Sequence, residues 1–119
     1  MLFALFLQVA ATINSPPADW RTLPALRAPT TEAAELVSDY VRDEVRAGRC
    51  AAPQPGTLSI DLAVYVAETG RVRRIVPRAI NCPTVEQYAS GVALRSLRGQ
   101  IEPPEMVGWH RMTIAFTWR

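Results

Sequence analysis

The stretch of sequence that decides the fold is Thr57-Leu-Ser-Ile-Asp-Leu-Ala-Val-Tyr-Val66, followed by Ala67-Glu-Thr-Gly70 and by Arg71-Val-Arg-Arg-Ile-Val-Pro-Arg-Ala79. Strongly apolar residues occupy every second position from Leu58 onwards, which predicts a strand with one buried face. Gly70 can take the positive φ of a hairpin turn because glycine has no Cβ. We therefore expect a β-hairpin in which 71–79 returns as a second strand.

The return strand has two irregular features. Val72 and Ile75 differ in parity, so both can face the core only if the strand contains a bulge. Pro77 has no N–H to donate to a neighbouring strand, and proline within a sheet is confined to edges and bulges. We therefore expect this strand, or its end, to lie at an edge of the sheet.

A helix and a last strand follow the hairpin. Thr84 and Gln87 have the spacing of a capping box, which predicts that the helix starts there, and Gly99 is placed to end it. Its inner stripe consists of Val85, Tyr88, Ala89, Val92, Ala93 and Leu97. The final segment alternates again, with one face formed by His110, Met112, Ile114, Phe116 and Trp118. This alternation predicts a strand that closes the domain.

Upstream of the hairpin, apolar residues recur at helical spacing. They are Ala33, Leu36, Val37, Tyr40, Val41 and Val45. The pattern predicts an amphipathic helix over roughly 32–47, with Gly48 as its stop. The expected fold is therefore α+β: a small antiparallel sheet of about three strands packed on two helices, in the order helix, strand, strand, helix, strand.

The N-terminal part of the 119-residue chain predicts export. Residues 1–13 are apolar over about a dozen positions, fewer than the roughly 20 that a membrane-spanning helix needs. Val9 and Ala11 provide compact residues for cleavage after Ala11, although no Lys or Arg precedes the apolar run. We interpret 1–11 as a signal peptide, 12–30 as a proline-rich tether and 31–119 as the domain. A buried N-terminal strand or helix is the alternative.

Charge and composition exclude several functions. The thirteen basic residues are all arginine and nearly balance eleven acids, so no strong field for nucleic acid or an anionic membrane is expected. The absence of lysine excludes Schiff-base chemistry. The basic cluster consists of Arg71, Arg73, Arg74 and Arg78. It fits either a solvated strand face or a surface for a peptide carboxylate, lipid phosphate or glycan.

The two cysteines, Cys50 and Cys82, are expected to form a disulfide if the chain is exported into an oxidising compartment. Two free buried thiols are the alternative. Two cysteines and the single histidine, His110, cannot complete a tetrahedral zinc set without a carboxylate. We therefore expect no metal and no other cofactor.

Enzymatic activity is not expected. A serine hydrolase would have to combine His110 with a serine such as Ser59 or Ser90, and neither serine lies in a nucleophile-elbow context. The acidic pairs Asp43-Glu44 and Glu102/Glu105 have nothing in the sequence to hold them on either side of a scissile bond. A small hydrolase remains only the third alternative for the function.

Residues 57–118, about half of the chain, resemble the C-terminal domain of TonB-family energy transducers, which is related in shape to that of TolA. The first similarity is the apolar strand that runs into Ala67-Glu-Thr-Gly-Arg-Val72. The second is the helix end Leu97-Arg-Gly-Gln-Ile-Glu-Pro-Pro104, and the third is the terminal strand Met112-Thr-Ile-Ala-Phe116. The resemblance implies a periplasmic domain of the cell envelope, of a family that serves transport.

The resemblance also implies recognition by β-augmentation, in which an extended segment of an envelope protein adds to an exposed sheet edge. The expected edge is the terminal strand 111–118, with Arg111, Thr113, Ala115 and Thr117 as its binding positions. The alternative is a disulfide-stapled structural or dimerising envelope domain without a peptide ligand. Whether the backbone of the terminal strand is open to solvent would distinguish the two hypotheses.

Overall fold

The computed structural model describes residues 15–26, 35–97 and 107–119, and its fold is α+β. The elements in chain order are a 3-10 turn at Trp20–Thr22, strand β1 at Glu35–Val37, helix α1 at Asp39–Arg46, strand β2 at Thr57–Val66, strand β3 at Val72–Pro77, helix α2 at Pro83–Leu97 and strand β4 at Gly108–Thr117. The sheet order is β1-β4-β2-β3. The predicted fold class is confirmed: β4, β2 and β3 form an antiparallel sheet accompanied by two helices.

Strands β2 and β4 form the centre of the sheet. Their ten pairs run without a break from Thr57 opposite Thr117 to Val66 opposite Gly108. The alternation of apolar residues buries one face of both strands against α2 and Val41 of α1, and the largest buried side chain of this core is Phe116. We call this face of the sheet the helix face. The opposite face carries the odd-numbered residues of β2 and β4, and we call it the back face.

The hairpin of β2 and β3 has the predicted irregularities. The register shifts between Tyr65 and Val66, so the bulge expected from the parity of Val72 and Ile75 is present. Gly70 has φ +84° in the connecting turn, the left-handed region that favours glycine. The β3 strand lies at one end of the strand order, which confirms the edge position predicted from Pro77.

The first helix is shorter than predicted. It begins at Asp39 rather than near 32, because Ser38 is its N-cap: the Ser38 hydroxyl accepts a hydrogen bond from the N–H of Val41 at 3.1 Å. Immediately before the cap, Glu35–Val37 form β1, which pairs in parallel with β4. The helical assignment of 35–38 was therefore wrong, and the predicted residues 32–34 lie outside the described residues.

The second helix begins one residue earlier than predicted. Pro83 is its first residue, a position that needs no N–H partner. The predicted capping pair is not the one observed: a carboxylate oxygen of Glu86, rather than Gln87, accepts from the N–H groups of Ile80 at 3.1 Å and Cys82 at 3.0 Å. Glu86 thus satisfies two donors at the start of α2. The predicted stop at Gly99 lies outside the described residues.

The segment predicted as a tether packs on the back face over its described part. Trp20 and Leu23 are buried there against Ala63, with Val76 and Trp109 beside them. Asp19 caps the 3-10 turn that presents Trp20, since its carboxylate accepts from the N–H of Arg21. The predicted signal peptide, 1–11, lies outside the described residues. Within the parts of the chain that the structure covers, no helix is both long and apolar enough to span a membrane.

Cys50 and Cys82 form the predicted disulfide. Both cysteines are buried at the edge of the main core, and the bond joins the loop after α1 to the residue that precedes α2. Arg49 and Thr84 lie beside the two cysteines in the chain. Both contact the same carboxylate oxygen of Glu44, Arg49 at 2.7 Å and Thr84 at 3.4 Å. The two helices are therefore tied together by a covalent bond and by a polar cluster next to it.

Candidate functional site: the two edges of the sheet

The predicted binding positions Arg111, Thr113, Ala115 and Thr117 all lie in β4. The N–H of Trp118, which follows β4, donates to the carbonyl of Gly56, which precedes β2, so the even-numbered residues of β4 direct their backbone groups towards β2. The backbone of the odd-numbered residues therefore points away from β2. On that side, Arg111 exchanges two hydrogen bonds of 2.8 Å with the N-terminal segment: its N–H donates to the Pro24 carbonyl, and its carbonyl accepts from the N–H of Leu26. The outer side of β4 is thus filled at Arg111.

The other end of the same edge is filled by β1. Glu35 lies opposite Ala115 and Val37 opposite Thr117 in parallel register. The carbonyl of Thr117 accepts from the N–H of Ser38 at 3.0 Å, which extends the pairing by one residue. At Ala115 and Thr117, β4 is therefore an inner strand with neighbours on both sides.

Thr113 lies between these two pairings, and its hydroxyl donates to a carboxylate oxygen of Asp61 on β2 at 2.7 Å. No local pattern indicates the pairing of β1 with β4, because 35–37 also fit the helical spacing of the residues that follow. The contact of Pro24 and Leu26 with Arg111 joins positions too far apart in the chain for any local pattern to show it.

The second edge of the sheet is β3. Within 15–26, 35–97 and 107–119, its only strand partner is β2. The N–H of Arg78 donates to the Asp61 carbonyl at 2.9 Å, so the backbone of Arg78, and with it Val76 and Arg74, faces β2. Ile75 and Pro77 consequently face outwards. Ile75 offers an N–H and a carbonyl on the outer side, and Pro77 offers a carbonyl alone.

The four residues of the basic cluster, Arg71, Arg73, Arg74 and Arg78, are all exposed on or beside this edge. In the described part of the chain, the ion pairs involve other arginines, namely Arg21, Arg42 and Arg49. The β3 edge therefore combines outward backbone groups with a concentration of positive charge that no described carboxylate neutralises at contact distance.

Aromatic rings lie next to the cluster on the back face. Arg74 is opposite Tyr65, and the ring of Tyr65 meets that of Trp109 edge to face, with centroids 5.3 Å apart. The guanidinium of Arg78 lies 4.5 Å from the ring centroid of Trp20. Sequence reasoning missed this proximity, because the aromatic residues come from three separate segments and only the sheet register brings them beside the arginines.

Arg78 also affects the ionisation of Asp19 in the N-terminal segment. Three hydrogen bonds from Arg21, two from its side chain and one from its backbone N–H, lower the pKa of the Asp19 carboxyl below its ordinary value. The nearby charge of Arg78 acts in the same direction. Asp19 is therefore held in its ionised form at the point where the N-terminal segment turns onto the back face.

The structure does not bring together the residues of the hydrolase hypothesis. His110 is buried on the helix face, and its Nδ1 lies 3.0 Å from the Gly108 carbonyl oxygen. Ser59 is exposed on the back face, while the hydroxyl of Ser90 donates to the carbonyl of Glu86 at 3.1 Å. Within the described residues, no group of three or more His, Cys, Asp or Glu side chains is arranged to hold a metal ion.

Comparison of the chain with protein-family models, with curated proteins and with solved structures gives no match in any of the three cases.

Proposed function

We propose that this chain is a partner-binding module of the cell envelope that recognises an extended protein segment by strand addition at the edge of β3. The observation that carries the proposal is the outer side of Ile75 and Pro77, where backbone groups point away from the only described neighbour of β3. An edge strand of this kind is a template for pairing with another chain, and the side chains beside it provide selectivity.

The choice of β3 over β4 follows from what already lies on each edge. At β4, a partner would have to displace Pro24–Leu26 from Arg111 and β1 from Ala115–Thr117. Displacing the N-terminal segment would also expose Trp20 and Leu23, at a cost on the order of 2 kcal/mol for each side chain. Addition to β3 requires none of these changes among the described residues.

Two further observations support the envelope as the location. The N-terminal apolar run followed by Val9-Ala10-Ala11 is typical of a signal peptide. The Cys50–Cys82 disulfide is compatible with an oxidising compartment such as the periplasm. The resemblance of 57–118 to TonB-type domains favours the same location and a protein partner, and the proposal includes no enzymatic activity and no cofactor.

The alternative is a disulfide-stapled structural or dimerising domain without a peptide ligand. Two observations favour it. The outer side of the terminal strand, whose openness was expected to distinguish the two hypotheses, is filled at Arg111, Ala115 and Thr117. A proline and several arginines on an edge strand are also devices by which proteins prevent unwanted strand addition. The alternative therefore predicts that Pro77 and the neighbouring arginines keep the β3 edge free of any partner.

Site-specific photocrosslinking in the native envelope tests the proposal. A photoreactive amino acid at Arg73, next to the outward backbone of Ile75, is expected to capture one defined envelope protein. The same probe at Ser59, exposed on the back face, is the matched control and is expected to capture background only. Equal capture profiles at both positions would contradict the proposal, and a dimer of this chain captured at Arg73 would favour the dimerising alternative.

A further inference from the structure

We propose that the segment bound by β3 is acidic, with two carboxylates four residues apart that pair with Arg74 and Arg78 and an apolar residue midway between them, opposite Val76. This inference rests on the proposed strand addition and specifies the chemistry of the partner. It follows from the register of the hairpin, from the faces of the sheet and from the charges at the edge.

The register places Arg74, Val76 and Arg78 in one row on the back face. Arg74 is opposite Tyr65 and Val76 is opposite Ala63, and both partners are odd-numbered residues of β2. The N–H of Arg78 bonds to the carbonyl of Asp61, the next odd-numbered residue. Since successive side chains of a strand alternate between faces, these three side chains form a row with a period of two.

A strand added to β3 would place its own back-face residues opposite this row. In antiparallel pairing, the residue opposite Ile75 would exchange backbone hydrogen bonds with it, because the N–H and carbonyl of Ile75 point outwards. The partner residues opposite Arg74 and Val76 would then form non-hydrogen-bonded pairs, in which side chains are closest, with Cα atoms about 4.5 Å apart. Two partner residues four apart would thus meet the two guanidinium groups.

The middle of the row selects an apolar residue. Val76 is half-buried and packs against the cluster of Trp20, Leu23 and Ala63. A polar side chain opposite Val76 would lose water without gaining a partner, whereas an aliphatic one would extend this cluster. The resulting pattern in the bound segment is acidic, any residue, apolar, any residue, acidic.

A second copy of this chain fits the same edge poorly. Antiparallel pairing of β3 with another β3 would bring together two sets of Arg73, Arg74 and Arg78, and like charges on neighbouring strands are destabilising. Two acidic groups lie near Arg78 among the described residues. Asp19 is held by Arg21, and Asp61, opposite Arg78 on β2, accepts a hydrogen bond from Thr113; neither carboxylate is within ion-pair distance of Arg78. The unneutralised charge therefore favours an acidic partner.

The test uses synthetic peptides and the oxidised protein, with the amide signal of Ile75 followed by NMR. The first peptide is Thr-Glu-Thr-Val-Thr-Glu-Thr, capped at both ends, and the second, Thr-Glu-Thr-Val-Glu-Thr-Thr, has the same composition with its carboxylates three apart. Only the first can place both carboxylates on one face of a strand. We expect it to bind about two- to fivefold more tightly and to shift the Ile75 amide, because it forms one exposed ion pair more than the second peptide, which keeps a single carboxylate on that face.

Variants separate register from general charge attraction. R74E/R78E is expected to abolish the preference for the first peptide and to restore tight binding when its two Glu residues are replaced by Lys. R95E/R119E changes the net charge equally at exposed positions elsewhere and is expected to leave the preference intact. Because Arg78 contacts Trp20, R74E alone serves as a second variant, with circular dichroism to verify folding. It is expected to abolish the preference, because both peptides can still pair one carboxylate with Arg78 and the second carboxylate of the first peptide no longer meets an arginine. N-methylation of the two threonines flanking the valine removes their N–H donors and is expected to abolish binding.

Each result has a defined reading. Equal binding of the two peptides would overturn the inference and leave the partner-binding proposal in place. Absence of peptide binding together with specific crosslinking at Arg73 would do the same. Absence of both peptide binding and specific crosslinking would overturn both proposals.

Discussion

The guanidinium of Arg78 lies over the ring of Trp20, 4.5 Å from its centroid. This contact joins the residue that follows β3 to the N-terminal segment on the back face. Trp20 is the largest side chain of the small cluster that it forms with Leu23 and Ala63. Burial of this ring therefore contributes to the attachment of the N-terminal segment, together with Leu23 and the backbone hydrogen bonds of Pro24 and Leu26 with Arg111.

Replacing Trp20 with alanine is expected to lower the free energy of unfolding by about 3 kcal/mol, because a buried aromatic side chain is removed and a cavity is left. Urea denaturation followed by far-UV circular dichroism measures the change. Trp20→Phe, which keeps most of the buried surface, is the matched control and is expected to retain most of the stability. Equal stability of the alanine variant and the unmodified protein would show that burial of Trp20 does not stabilise the fold.

Loss of the Cys50–Cys82 disulfide is expected to lower the free energy of unfolding by about 3.5–4 kcal/mol, because the bond closes a long loop in the unfolded chain. The measurement compares urea midpoints of the oxidised protein with those of the protein in reducing buffer. The double variant C50S/C82S should behave like the reduced protein and should not respond to reductant. Equal midpoints of the oxidised and reduced protein would contradict this prediction.

Substitution of Glu86 tests the capping arrangement of α2. Glu86→Ala removes the acceptor for the N–H groups of Ile80 and Cys82 and is expected to cost about 2 kcal/mol of folding free energy. Gln87→Ala, the position of the capping residue expected from the sequence, is the matched control and is expected to have a small effect. The assignment would be wrong if the Gln87 variant were the less stable of the two.

Acid should loosen the N-terminal segment. The pKa of Asp19 is lowered by Arg21, so its contribution to stability is complete above the ordinary pKa of aspartate, about 3.9, and is lost as the pH falls through the lower folded value. Tryptophan fluorescence recorded between about pH 5 and pH 2 follows the change, and the difference between the unmodified protein and Trp20→Phe assigns it to Trp20. Asp19→Asn keeps a capping oxygen without a titrating group and should lack this step. Superimposable curves for the two proteins would contradict the role of Asp19.

The sequence was sufficient for β2, β3 and β4 and for the disulfide. Strict alternation from Thr57 to Val66 puts the strongly apolar side chains on one face of a strand, so burying that face removes all of them from water together. Pro77 and the parity of Val72 and Ile75 marked the edge and the bulge for equally local reasons. Features of this kind are encoded within a few neighbouring residues, so they can be read before the structure is known.

The assembly of the binding surfaces could not be read in the same way. Glu35–Val37 match a helical spacing, and only the pairing with β4 together with the Ser38 cap makes them a strand. The proximity of Arg78 to Trp20 likewise depends on the path of the N-terminal segment over the back face. Both contacts join residues that are far apart in the chain, so no pattern within a few neighbouring residues indicates them.

The central position of β4 has a kinetic consequence. β4 comes after the other described elements in the chain, so its ten pairs with β2 and its parallel pairing with β1 can form only after β4 itself is available. The hydrogen bond between Thr113 and Asp61 joins residues 52 positions apart. Such non-local contacts raise the contact order and slow folding. The hairpin of β2 and β3 can form early, but the β2 edge stays exposed until β4 arrives. If the chain crosses a membrane N-terminus first, it would therefore stay incompletely folded until β4 has emerged. Until then, it would be accessible to proteases and to chaperones that bind extended chains.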